Sequence, residues 1–99
     1  EPTEARQVYE NAILIQEKLA REHPEVPDYA CGAGATLNNL ALVLLEEEKF
    51  GESETNLRRT LEIRRKHFGD GHPSVTAAGL DLTNVLARAK KSGKGGGNP

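Results

Sequence analysis

The stretch Leu37-Asn38-Asn39-Leu40-Ala41, followed further along the chain by Phe50, Leu57 and Leu61, decides the fold. In an α-helix, side chains three, four or seven positions apart lie on one face. Leu37, Leu40 and Ala41 therefore share one helical face, and Leu57 and Leu61 share another. The spacing predicts two helices that pack against each other through these faces.

The same periodicity extends over most of the chain and is broken by prolines and glycines. Residues 24 and 27 are prolines, and Gly69-Asp70-Gly71 is a strong stop signal. The predicted helices span about residues 3–21, 27–49, 52–68 and 73–91, within one domain over residues 1–91. Residues 92–99 are rich in glycine and contain no apolar side chain, so they predict a flexible tail.

The beginning of the second predicted helix consists of small residues, from Ala30 to Ala35. Gly32 and Gly34 lie within it, and each glycine costs a helix interior about 1 kcal/mol relative to alanine. Two interpretations are open from the sequence. Either this stretch frays, or its small side chains allow a neighbouring helix to approach closely.

Composition excludes several classes of protein. The chain has 99 residues, 36% of them hydrophobic, and a net charge of −2. A nucleic-acid-binding domain is normally basic, and no apolar run approaches the length of a membrane span, so we expect neither nucleic acid nor a membrane as partner. The single cysteine permits no intrachain disulfide. It favours a reducing, cytoplasmic location, although a secreted helical domain needs no disulfide either.

The chain contains an internal repeat. The first predicted helix aligns with the third at an offset of 48 residues, so that Ile13 matches Leu61. The second aligns with the fourth at an offset of 42, so that Leu40 matches Leu82. The turns align at 49, which places His23 and His72 at equivalent positions. A seven-residue insertion, two helical turns long, accounts for the change in offset and preserves the inward face.

Three motifs resemble the tetratricopeptide repeat, in particular the longer variety found in kinesin light chains. They are His72-Pro73-Ser74-Val75, Leu37-Asn38-Asn39-Leu40-Ala41 and Thr60-Leu61-Glu62-Ile63-Arg64. The resemblance covers about Ala5 to Ala89. It implies an all-α fold in which antiparallel helix hairpins stack as a right-handed superhelix. About four helices would be present, and the function implied is the binding of a protein or peptide partner without catalysis.

The resemblance also implies where a partner would bind. In the family, the first helix of each pair lines a concave groove, and the second and fourth predicted helices are these first helices here. Carried over by position, the groove residues are Asn38, Leu42, Leu45, Glu46, Leu80, Asn84 and Arg88. An asparagine amide can both donate to and accept from the backbone of an extended segment. The alternative for Asn38 is a hydrogen bond to a neighbouring helix.

The character of this groove predicts the chemistry of its partner. Members of the family that bind a C-terminal carboxylate use lysine and arginine on the groove wall, whereas the second helix here ends in Glu46-Glu47-Glu48. The groove should therefore accept aliphatic anchors and a basic group. The alternative for the three glutamates is a solvated helix end. We expect no cofactor, no metal site and no catalytic centre, because the histidines are explained by turns and no nucleophile has a base at a suitable spacing.

Some positions depart from the family pattern. Ser53, Thr60 and Thr83 replace small residues where helices cross, and Gly79 replaces a large one, which predicts a loosely packed fourth helix. The motifs amount to one complete pair flanked by two half repeats. Arrays usually need about three repeats to bury a continuous core. Self-association through the terminal helices, as an oligomerisation element within a larger protein, is therefore the alternative function.

Overall fold

Four helices form the whole of the regular structure in the computed structural model, which describes residues 2–93 and the side chains from Glu4 onward. They are α1 (Pro2–Glu22), α2 (Pro27–Glu46), α3 (Phe50–Phe68) and α4 (Pro73–Ser92). The described residues contain no strand, and the helices pack against one another in sequence order. The predicted all-α fold is confirmed. The right-handed superhelix stays a prediction. Of the predicted flexible tail, residues 92–99, Ser92 ends α4 and Gly93 is its C-cap, while residues 94–99 lie outside the described part.

The helices are separated by three or four residues, so that neighbours along the chain run antiparallel. Both α2 and α4 begin with a proline, which lacks the N–H that a first helical residue would leave unsatisfied. His72 caps α4, since its Nδ1 accepts a hydrogen bond from the Ser74 backbone N–H at 3.1 Å. This confirms the interpretation of that histidine as a turn residue.

Two helix boundaries differ from the predicted ones by more than one residue. The third helix begins at Phe50 instead of residue 52, and α2 ends at Glu46 instead of residue 49. The early end of α2 has a clear physical reason, because Glu48 adopts a left-handed conformation with φ 60°. Its N–H donates to the Leu45 carbonyl at 3.0 Å, and the Lys49 N–H donates to the Leu44 carbonyl at 2.8 Å. These two bonds form a Schellman motif, which satisfies the last carbonyls and turns the chain into α3.

The interior is built around α2, which packs against both α1 and α3, while α4 packs against α3. One core cluster joins α1 to α2 and contains Ile13, Leu37, Leu40 and Leu44. The other joins α2, α3 and α4 and contains Ala41, Leu45, Phe50, Leu57, Leu82, Val85 and Ala89. Each terminal helix is therefore covered on one side only.

Small and hydroxyl-bearing residues form part of the contact between α2 and α3. Ser53 Oγ donates to the Ala41 carbonyl at 2.8 Å. The Thr60 hydroxyl is shared between the Gly34 carbonyl of α2 at 3.2 Å and the Asn56 carbonyl of its own helix at 3.0 Å. A Cβ on Gly34 would lie 3.5 Å from Ile63, which is ordinary van der Waals contact. Of the two interpretations of the small stretch, close approach is therefore confirmed, and this part of α2 does not fray. Two of the three hydroxyl groups that depart from the family pattern, those of Ser53 and Thr60, contact α2, whereas the Thr83 hydroxyl donates to the Gly79 carbonyl of its own helix.

Replacing Glu48 by glycine should stabilise the fold. Glycine enters the left-handed region without the penalty of about 1 kcal/mol that other residues incur. We expect Glu48→Gly to raise the free energy of unfolding, measured by urea denaturation, by up to about 1 kcal/mol. Glu46→Gly is the matched control, because Glu46 is the last helical residue of α2 and the same change should there lower stability by about that amount. Equal effects at both sites would contradict the assignment.

Removing the Thr60 hydroxyl should weaken the contact between α2 and α3. Thr60→Val keeps the side-chain shape and loses a buried hydrogen bond, so unfolding should become easier by about 1 kcal/mol in urea denaturation. The control is Thr55→Val, because the exposed Thr55 hydroxyl bonds only the Gly51 carbonyl of its own helix. Its change should stay within about 0.5 kcal/mol. A neutral Thr60→Val would show that the bond between the helices contributes nothing.

Candidate functional site

Two opposite sides of α2 have different roles. One side carries Leu37, Leu40 and Leu44, which pack against the neighbouring helices. The other side carries Asn38, Leu42 and Glu46, spaced four residues apart and therefore in one row. These three residues are called the α2 stripe. Helical periodicity separates the two sides, because each residue is rotated by about 100° around the helix axis relative to the residue before it.

Within the α2 stripe, the side chains differ in exposure. Leu42 is 43% exposed, which is unusual for a large apolar residue beside a packed core, and Glu46 is also exposed. Asn38 is half-buried, and its Oδ1 atom is buried with no hydrogen-bond partner. The alternative role of Asn38, a hydrogen bond from this oxygen to a neighbouring helix, is therefore not observed.

Leu45 was predicted to line the groove together with these residues, and that prediction is wrong. It is only 4% exposed and belongs to the core cluster that joins α2, α3 and α4. The reason is its position three residues after Leu42, which turns it toward Ala41 and the α3 side of the helix. Leu45 is therefore a core residue and is not available to a partner.

On α4, the predicted residues form a second row. Leu80, Asn84 and Arg88 are all exposed, and Leu80 reaches 66%. They point away from Leu82 and Val85, which pack into the core. These three exposed residues are called the α4 stripe. No hydrogen bond or ion pair links the two stripes within residues 2–93; their helices are joined through the core beneath them.

A cleft that sequence reasoning did not predict lies on the other side of α2, between α1 and α3. Its main cavity measures about 550 Å³, and a second cavity of about 290 Å³ continues along it. The floor is apolar and the walls are charged: the main cavity is lined by Ile13, Leu14, Leu37, Leu40, Leu44, Glu10, Glu17, Glu52, Gly51, Thr55, Asn56 and Arg59. Both cavities share Glu17 and Arg59.

Ion pairs cross this cleft. Arg59 pairs with Glu17 between the two cavities, and Arg6 pairs with Glu52 at 3.2 Å and with Glu47 at 3.6 Å. The Arg59–Glu17 and Arg6–Glu52 pairs link the parallel helices α1 and α3, and the Arg6–Glu47 pair links α1 to the end of α2. The sequence contains no signal for them, because the partners are more than 40 positions apart and nothing in their spacing indicates that the helices lie side by side.

Part of this chain matches a known protein family. Residues 34–74 match the family described as the tetratricopeptide repeat. The match supports a tetratricopeptide repeat in this segment. The matched segment comprises most of α2, all of α3 and the start of α4. No match was found among curated proteins or among solved structures. The kinesin-light-chain-like variety stays a prediction.

Tetratricopeptide repeats are in general non-catalytic modules that bind other proteins. In this repeat the first helix is α2, so the α2 stripe lies on the helix that the resemblance assigns to the groove. Its α3 partner presents the Ser53 and Thr60 hydroxyls to α2. The repeat thus accounts for the packed side of α2 and leaves the stripe side without a neighbour of its own.

The part of the chain that the structure describes contains neither a cluster of metal-ligand side chains nor a helix suited to span a membrane. Within residues 2–93 no three side chains of His, Cys, Asp or Glu come together as they would around a metal ion. None of the helices in this part of the chain is both long enough and apolar enough to cross a bilayer.

Cys31 is the one thiol, and it lies on the stripe side of α2, seven residues before Asn38. Burial raises the pKa of the Cys31 thiol, and the negative charge of Asp28 raises it further, while Arg64 acts in the opposite direction. The thiolate is the reactive form of cysteine. A raised pKa therefore keeps this cysteine protonated and slow to react, as expected for a packed thiol.

Alkylation should reveal this protonation state. We expect iodoacetamide to modify Cys31 more slowly in the folded chain than in urea at mildly alkaline pH, with a rate midpoint shifted to higher pH. Asp28→Asn should lower that midpoint and Arg64→Gln should raise it, because they remove opposite charges. Mass spectrometry of time courses across a pH series measures all three rates. A folded chain with the midpoint of the unfolded chain would contradict the assignment.

Proposed function

We propose that this chain is a non-catalytic docking module and that a segment of a partner protein lies along the α2 and α4 stripes. One observation supports this above the others: Leu42 and Leu80 are large, apolar and exposed at the predicted groove positions. Each lies in a row with polar side chains that can orient a ligand. A mixed surface of this kind is typical of peptide-binding sites, where apolar anchors supply affinity and a few polar groups supply orientation.

The polar groups suit an extended backbone. The buried Oδ1 of Asn38 has no partner within the protein, and an unsatisfied buried acceptor costs about 1–3 kcal/mol. Because this oxygen is buried, the Asn38 amide would have to rotate toward the surface to accept a backbone N–H of a docked segment, and that bond would relieve the cost. Asn84 is exposed on the α4 stripe and offers both a donor and an acceptor. Two asparagines in the stripes would thus bind peptide groups without selecting particular side chains.

The charges refine the partner chemistry. Of the three glutamates at the end of α2, Glu47 already pairs with Arg6, and Glu48 forms the left-handed turn. Glu46 is exposed and is the member of the three that lies in the α2 stripe. A carboxylate near a helix C-terminus faces the negative end of the helix dipole, so an external cation would be favourable there. The proposed partner segment therefore carries aliphatic anchors and a basic side chain.

The cleft between α1 and α3 is a weaker candidate for this role. Its floor leucines are nearly fully buried, so a ligand would gain little apolar contact there. The Glu17–Arg59 ion pair also spans the cleft, and a ligand that filled both cavities would have to displace it. The stripes require no such rearrangement.

A matched pair of leucine variants tests the location. Peptides that bind the whole chain would be selected from a displayed random library and titrated by calorimetry against Leu80→Ser and Leu14→Ser. Leu80 and Leu14 are 66% and 67% exposed, so each change removes the same accessible side chain. Burying a leucine contributes about 1.5–3 kcal/mol. We expect Leu80→Ser to weaken binding by about ten- to a hundredfold and Leu14→Ser to leave it unchanged.

The opposite result would move the site. Leu14 lines the cleft between α1 and α3, so loss of binding in Leu14→Ser with full affinity in Leu80→Ser would assign the peptide to that cleft. The double variant Asn38→Ala with Asn84→Ala tests the polar contacts separately. We expect it to weaken binding by about tenfold, since each amide hydrogen bond contributes about 1 kcal/mol. Unchanged affinity would remove both asparagines from the role.

A further inference from the structure

The first helix exposes an apolar face that nothing in the structure covers. Val8 and Ile15 are 65% and 62% exposed. Ala5, Ala12 and Leu19 lie beside them, half-buried and on the same side of the helix. These five residues are called the α1 face. The contact with α2 is made by another side of α1, which carries Ile13.

The equivalent face of α3 shows what such a surface binds. At the offset of 48 residues, Ala5, Ala12 and Ile15 correspond to Ser53, Thr60 and Ile63. Ser53 and Thr60 are fully buried and donate hydrogen bonds to α2, and Ile63 lies against Gly34 of α2. On α3 this face is therefore covered by a helix of the α2 type. The α1 face has the small and apolar residues to accept the same kind of helix.

The only other helix of the α2 type among the described residues is α4, and its corresponding face is open. At the offset of 42 residues, Gly34, Ala41 and Leu45, all buried on α2, correspond to Thr76, Thr83 and Ala87. These three α4 residues are exposed. They are called the α4 face, which is distinct from the α4 stripe.

We infer that α4 of one copy packs on α1 of a second copy, in the arrangement in which α2 packs on α3. The two faces cannot meet within one chain, because the helices pack in the order α1, α2, α3, α4 and the faces lie at opposite ends of that row. Each contact therefore completes one repeat between two copies and leaves a free α1 face and a free α4 face. Such a contact is heterologous, and it produces a ring if the rotation between copies closes and an open chain of copies if it does not.

The sizes of the residues agree with this arrangement. Where α2 crosses α3, small Ala41 meets small Ser53; between copies, Thr83 would meet Ala5, which again pairs one small residue with one of moderate size. A Cβ on Gly34 would only touch Ile63. The position therefore has room for one more carbon atom, and the Oγ1 and Cγ2 atoms of Thr76 would have to point away from Ile15.

The charges agree as well. Because the packed helices would run antiparallel, the last turn of α4 would lie beside the first turn of α1. The last turn of α4 is basic, with Lys90 and Lys91, and the first turn of α1 carries Glu4. Opposite charges across an interface fix its orientation and speed encounter. The reversed orientation, with the two first turns together, would lose this attraction.

This assembly is independent of the proposed docking of a partner segment. On α2, where the equivalent face is covered by α3, Leu42 and Glu46 remain exposed. Covering the α4 face should likewise leave Asn84 and Arg88 open. Successive copies would then place their stripes one after another along the assembly.

Two blocking variants and their mixture test the inference. Ile15→Glu places a charge on the α1 face and Thr83→Glu places one on the α4 face; both sites are exposed, so the fold should persist, which circular dichroism verifies. Molar mass would be measured by light scattering across a concentration series. We expect the unchanged chain to rise in mass beyond two copies, each variant alone to stay monomeric, and their equimolar mixture to reach two copies and stop.

The mixture reaches two copies because each variant retains one intact face and the intact faces are complementary. Thr55→Glu is the control, since Thr55 is exposed and belongs to neither the α1 face nor the α4 face. This variant should assemble like the unchanged chain. An unchanged chain that remains monomeric at every concentration would overturn the inference. So would a Thr83→Glu variant that still forms pairs by itself, because that result would mean that two α1 faces bind each other.

Discussion

The close approach of α2 and α3 is the contact on which the rest of the structure depends. Gly34 and Ala41 leave no bulky side chain between the two helices, and the hydroxyls of Thr60 and Ser53 donate directly to their carbonyl oxygens. Buried hydroxyls need partners, and the partner of the Ser53 hydroxyl is on α2, so this bond favours one register of α3 on α2. Apolar packing alone would tolerate small sliding movements along the helix axis.

That register determines which residues remain at the surface. Once one side of α2 is committed to α3 and another to α1, the row through Leu42 is left exposed, and Leu45 is drawn into the core. The helices at the two ends of the row have one packed side each. The α1 face and the α4 face correspond to the two sides of the contact between α3 and α2, and no other described residue makes that contact with them.

Most of the predicted site residues lie where the sequence places them, and the exception has a physical reason. Helical periodicity correctly puts Leu42 and Leu80 on outward rows, because a rotation of 100° per residue follows from the backbone alone. Leu45 lies near the border between an exposed and a packed side. Whether such a residue is buried or exposed depends on how much of the α2 surface is covered by α3. Helical periodicity carries no information about that coverage.

The amino-acid sequence by itself determined the helices, the internal repeat and the tetratricopeptide identity of residues 34–74, because these depend on spacing within one helix or between equivalent ones. Only the tertiary structure decided where α2 ends, that the small stretch packs closely, and that a cleft bridged by Glu17 and Arg59 lies between α1 and α3. These features depend on distances between segments remote in sequence, and such distances are set by packing.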